Sequence, residues 1–130
     1  MSSGNPLDSS SLPRCPSPED PVNHPELLRP ETLARFNAEK MGKSTIFMSD
    51  SMLVGLNAFE AGQEHALHGH ADQDKVYHVL EGSGLFLLEG RDIEMDAGAM
   101  LVAPAGVPHG VRNTSSERLV VLVFMAPPPR

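Results

Sequence analysis

The stretch Gly62–Gly82, GQEHALHGHADQDKVYHVLEG, decides the reading of this chain. At its centre stands His68-Gly69-His70. Side chains two residues apart on a β-strand point to one face, so the two imidazoles would project together. Neutral imidazoles paired in this way are competent metal ligands. An isolated His-x-His also arises as two ordinary loop histidines, since short motifs match freely by chance. Val76–Leu80 reads as a second strand, and Glu81-Gly82 as the turn that ends it.

A second stretch, Gly98–Asn113, GAMLVAPAGVPHGVRN, adds weight to the ligand reading, against a chain that keeps the histidines without a metal. It holds a strand at Ala99–Ala103, a turn at Pro104-Ala105-Gly106, and Pro108-His109 entering a further strand. Together the two stretches resemble the cupin superfamily, whose motifs read G(X)5HXH(X)3–4E(X)6G and G(X)5PXG(X)2H(X)3N. Gly62, His68, His70 and Gly82 fit the first motif; Gly98, Pro104, Gly106, His109 and Asn113 fit the second at every position. The likeness covers about Ser44–Pro127. It implies an all-β, jelly-roll β-barrel (a double-stranded β-helix), a homodimer, and a metal site. The one departure is at the family's glutamate, where this chain has Lys75. An ammonium offers a metal no lone pair.

The resemblance makes His68, His70 and His109 metal ligands. Three imidazoles suit Zn, Fe, Mn, Ni or Cu, and the sequence does not choose among these divalent ions. Three fillings remain open for the fourth position. Gln73 shares the inward parity of positions 75, 77 and 79 and offers an amide oxygen; Asp74 is the stronger ligand but needs a bulge to turn inward; water is the third. Lys75 has two readings, an anchor for a substrate carboxylate or enolate at the pocket mouth, and a solvent-reaching strand residue paired with Asp72 or Asp74. Tyr77 should face the metal, as a hydrogen-bond donor or acid, or as core filling. His65 either reaches the site from its loop or lies on the rim, with the rim favoured, and His78 is expected outward.

The chain of 130 residues has a net charge of −7 and a pI of about 5.2. That balance gives no electrostatic footprint for nucleic acid or for an anionic membrane. The single cysteine, Cys15, allows no intrachain disulfide, and a cytoplasmic location is expected. No apolar run approaches bilayer-spanning length, and no secretory signal is read at the N-terminus. Nucleophile elbows, phosphate-cradling glycine loops and basic aromatic patches are missing from the sequence, so hydrolase, nucleotide-binding and nucleic-acid readings have no support.

Residues 1–22 form a Ser/Pro-rich leader too poor in apolar surface to order itself. Residues 23–43 are a lead-in with a short helix expected over Pro30–Lys40. Pro30 at its start, Glu31 in the first turn, Lys40 in the last and Gly42 beyond are suitable end signals. The barrel is expected over 44–127, with 128–130 frayed. Its many short strands are spaced by Gly, Pro and Asn turns. Leu119–Phe124 is apolar on both faces and needs cover outside as well as inside. That need argues for a homodimer, with the 31–40 helix as the alternative cover. Two function classes follow. One is a small metalloenzyme (dioxygenase, isomerase or lyase type) acting on a small oxygen-rich or carbonyl substrate. The other is a non-catalytic module binding a small molecule or a structural metal.

Overall fold

The computed structural model describes residues 21–69 and 71–129. Nine strands follow one another among the described residues: β1 (Gly42–Met48), β2 (Leu53–Phe59), β3 (Glu64–His68), β4 (Asp74–Glu81), β5 (Ser83–Leu88), β6 (Arg91–Asp96), β7 (Met100–Ala103), β8 (His109–Arg112) and β9 (Leu119–Ala126). All pairings are antiparallel. One sheet has the order β1-β2-β9-β4-β7 and the other the order β3-β8-β5-β6. This is an all-β double-stranded β-helix made of two facing sheets.

Two expectations are corrected here. The sheets do not close into a jelly-roll barrel. Closure demands a continuous ring of hydrogen-bonded neighbours, whereas β1, β7, β3 and β6 each pair along one side only. The helix expected over Pro30–Lys40 is a single 3₁₀ turn at Pro30–Leu33, and no helix of seven or more residues occurs among the described residues. Arg29 at the N-cap gives no side-chain cap, and the backbone turns extended at Ala34 (ψ 137°). One turn is below the length at which a helix sustains itself. Leu33, at the end of the turn, and Phe36, on the extended chain beyond it, pack on the sheet instead.

The alternation within strands separates two apolar layers. Phe59, Tyr77, Val79, Phe86, Met95, Val111, Leu119, Val121 and Val123 fill the space between the sheets. The opposite face of the larger sheet offers Ile46, Leu56 and Val120, and Leu33 packs on them with Val22, Leu28 and Phe36 alongside. The Val22 N–H donates to the Ile46 carbonyl at 2.6 Å, which fixes this strap to β1. The lead-in thus supplies outer cover for β2 and β9.

The motif residues hold the turns. Gly82 has φ 87°, a left-handed conformation, and a Cβ there would lie 2.3 Å from the Arg118 carbonyl oxygen. Asn113 is fully buried. Its Nδ2 reaches the carbonyls of Phe59, Glu60 and Glu117 at 3.2, 3.1 and 2.7 Å, and its Oδ1 accepts from the Ser115 N–H and hydroxyl. No helix of the described residues is long and apolar enough to cross a membrane.

Candidate metal and ligand site

The histidines converge because β3 and β8 are neighbours. His68 pairs directly with His109, and His65 with Val111. Between these two pairs β3 advances three residues while β8 advances two, so β3 carries a bulge. Without it His65 and His68 would face opposite ways; the extra residue turns both inward. The His65 and His68 rings stack at 4.1 Å between centroids, and His68 meets His109 edge-on at 4.5 Å. Tyr77, on the facing sheet, lies 5.6 Å from His109.

His68 Nδ1 is 2.7 Å from the Ala66 carbonyl oxygen, and His109 Nδ1 is 2.9 Å from that of Val107. A carbonyl can only accept, so Nδ1 carries the proton in both rings. In the neutral rings the lone pair then sits on Nε2. This is how proteins set the tautomer of a metal-ligating imidazole. His65 has its pKa pushed down to about 3, first by burial, then by electrostatic repulsion of its protonated form by His68, Lys43, Lys75 and His109. It is therefore neutral, and its buried Nδ1 has no hydrogen-bond partner among the described residues.

Strand β4 alternates as its sequence parity predicts. Gln73, Lys75, Tyr77 and Val79 are buried, whereas Asp74 is exposed and accepts a hydrogen bond from the Ala105 N–H at 2.9 Å. Asp74 therefore points away from the histidines. Gln73 Nε2 donates to the Pro127 carbonyl at 3.1 Å, leaving Oε1 as that amide's acceptor. Lys75 is only 4% exposed, and its Nζ lies 5.1 Å from the Tyr77 ring centroid. Burial, with the nearby Lys43 ammonium, lowers its pKa to about 8. Burial also raises that of the Tyr77 phenol. The Tyr77 hydroxyl has no hydrogen-bond partner among the described residues.

His70 lies outside the described residues. Among those described, no group of three or more His, Cys, Asp or Glu side chains is arranged to hold a metal ion. The donors that are described fit a metal in chemistry, through two oriented imidazoles. They lack the family's carboxylate, whose place Lys75 takes. Of the two places open to His65, the structure has it stacked on His68, not on the rim. Its signal, a bulge beside a glycine, is invisible to strand parity.

Comparison with known proteins agrees with this architecture. A family model described as a cupin domain matches residues 55–125. A protein of solved structure from Thermus thermophilus is 41% identical with a TM-score of 0.76, covering 80% of this chain and 99% of that one. A solved RmlC-like cupin from Desulfovibrio desulfuricans is 33% identical with a TM-score of 0.74, covering 82% of this chain and all of that one. An oxalate-binding protein of Thermotoga maritima is 30% identical over 67 residues, 49% of this chain. The chain spans about half the length of that relative, 55%.

Proposed function

The chain belongs to the cupin superfamily, and from that footing we propose that it is a small metalloenzyme. It would bind one divalent transition metal ion through His68, His70 and His109, with Gln73 Oε1 or water completing the set. Its substrate would be a small oxygen-rich or carbonyl compound. The observation that carries this reading is the pair His68 and His109. Their Nδ1 atoms are both held by backbone carbonyls, and their rings stand 4.5 Å apart on adjacent strands. When bound, the metal would act as a Lewis acid toward substrate oxygens. The buried Tyr77 hydroxyl stands beside His109 as a hydrogen-bond donor to such an oxygen. The naming of a Thermotoga relative for oxalate supports an oxygen-rich ligand. The same reading includes a homodimer formed on the exposed part of the larger sheet.

A second reading, a non-catalytic binding module, is favoured by one observation, the lysine in the glutamate's position. Elemental analysis of the full chain tests the choice. About one equivalent of a transition metal is expected, lost in His68→Ala and His109→Ala proteins that melt cooperatively. Folded variants with full metal content would overturn the ligand assignment. A chain that neither contains nor takes up metal would leave the second reading.

A further inference from the structure

The open seam between the sheets holds a cleft of its own. Strands β1 and β3 are both sheet edges. A cleft of roughly 730 Å³ is lined by Lys43 of β1, by Glu64 and His65 of β3, and by the lead-in between Arg35 and Met41. His68, His109, Tyr77 and Lys75 take no part in its walls, so it is separate from the space between the sheets. Its volume lies within the range of small-molecule sites, about 300–1,000 Å³.

The walls are fixed in place. The lead-in folds back on itself so closely that a Cβ on Gly42 would lie 1.8 Å from the Arg35 carbonyl oxygen. Gln63 Nε2 donates to the Asn37 carbonyl at 2.7 Å, and Gln63 Oε1 accepts from the Glu60 N–H at 2.8 Å, which ties this loop to the turn before β3. The Arg118 guanidinium, paired with Glu60, lies 4.1 Å from the Phe36 ring centroid. A cleft held this way is ready before any ligand arrives, and little binding energy is lost in ordering it.

Charge in the cleft has one sign. Arg35, Lys40 and Lys43 are its cations. Glu64 is the one carboxylate among the lining residues, and Arg112 holds it at 2.7 Å. Lys40 and Lys43 form no ion pair with a described residue. The chain as a whole carries −7, so this gathering of positive charge is local and not a consequence of composition. Beside the cations, Phe36 and Met41 offer apolar surface and His65 a neutral ring. A phosphate monoester matches both features. It brings about −1.5 to −2 charges at pH 7 and three acceptor oxygens, where a carboxylate brings one charge and two oxygens, and its organic part can lie on the apolar side.

We propose that this cleft binds a small organic phosphate, with Lys40 and Lys43 at the phosphate, Arg35 adding to the positive field, and Phe36, Met41 and His65 against the organic part. The proposal goes beyond the functional reading above and rests neither on a metal nor on the space between the sheets.

The test is a titration of the 15N-labelled full chain followed by amide chemical shifts, at near-physiological ionic strength so that diffuse attraction is screened. Phenyl phosphate is the probe. Inorganic phosphate lacks its ring, and benzoate keeps the ring with a single charge. Phenyl phosphate should saturate, moving the amides of Phe36, Met41, Lys43 and Ala66. Benzoate should bind about tenfold or more weakly, and inorganic phosphate about threefold or more weakly. Lys40→Met and Lys43→Met should each weaken phenyl phosphate about threefold, and the double variant about tenfold or more. Both lysines are exposed, so these variants should keep the fold. Shifts that do not saturate, shifts centred on His109 and Val111 instead, benzoate bound as tightly as phenyl phosphate, or a double variant that binds as the wild type does would each overturn the proposal.

Discussion

Asn113 shows how much one motif side chain can hold. Its carboxamide joins β2, β8 and the turn before β9 through Phe59, Glu60 and Glu117, and it anchors Ser115. All of this takes place with the side chain fully buried. Truncation would strand several backbone carbonyls, each costing about 1–3 kcal/mol when left unsatisfied. Asn113→Ala is expected to lose about 3 kcal/mol in urea unfolding, with an unchanged m-value. Asn113→Asp, which keeps the shape but loses the donors, should lose nearly as much. A loss under about 0.5 kcal/mol would mean that water replaces the amide. The positions of the asparagine, His68 and His109 were legible through the resemblance to the cupin motifs. Lys75 was legible as a departure from the motif. Its burial was not, because sequence parity says which way a side chain starts and not whether a long one escapes to solvent.

Strand β3 is where the sequence is least transparent and the site most dependent on geometry. The bulge between His65 and His68 presses its backbone onto β8 at Gly110. A Cβ on Gly110 would lie 2.6 Å from the His65 carbonyl oxygen and 3.0 Å from Ala66 C and Leu67 N. These are backbone atoms and cannot step aside. Gly110→Ala is therefore expected to push β3 off β8, costing about 1–3 kcal/mol. It should also part His68 from His109, so metal content falls even where the fold survives. Thermal unfolding and elemental analysis on one sample check both, and full metal content at wild-type stability would show that the bulge does not set the spacing. The helix expectation failed at this same scale for a different reason. Pro30, Glu31 and Lys40 are sound end signals, but Leu33 and Phe36 gain more by spreading over the outer sheet than by sharing one face of a marginal helix.

Across the whole molecule, the nine strands and their order of burial follow from period-two alternation, while the absence of closure does not, because alternation fixes faces and leaves edges undetermined. The doubly apolar β9 shows the consequence. Its outer face at Val120 is covered within the chain by Leu33, with Val22, Leu28 and Phe36 alongside. That cover stops short of β7. There Met100 and Val102 are each 60% exposed, on an edge strand whose partners are His78 and Val76 of β4. An exposed edge bearing apolar side chains invites pairing with a second copy. The homodimer we propose would use this region, so its stability should depend on these two side chains and not on the strap. In light-scattering chromatography at roughly 100 μM, a concentration above the Kd of ordinary small dimers, the protein should run at twice its 14.0 kDa. The Met100→Glu/Val102→Glu protein should run as a monomer that still unfolds cooperatively, since both side chains face solvent within the single chain, and its thermal midpoint should no longer rise with protein concentration. A double variant that remains dimeric would move the interface elsewhere, and a monomeric wild type would leave the covered face of β9 as a matter of intrachain packing alone.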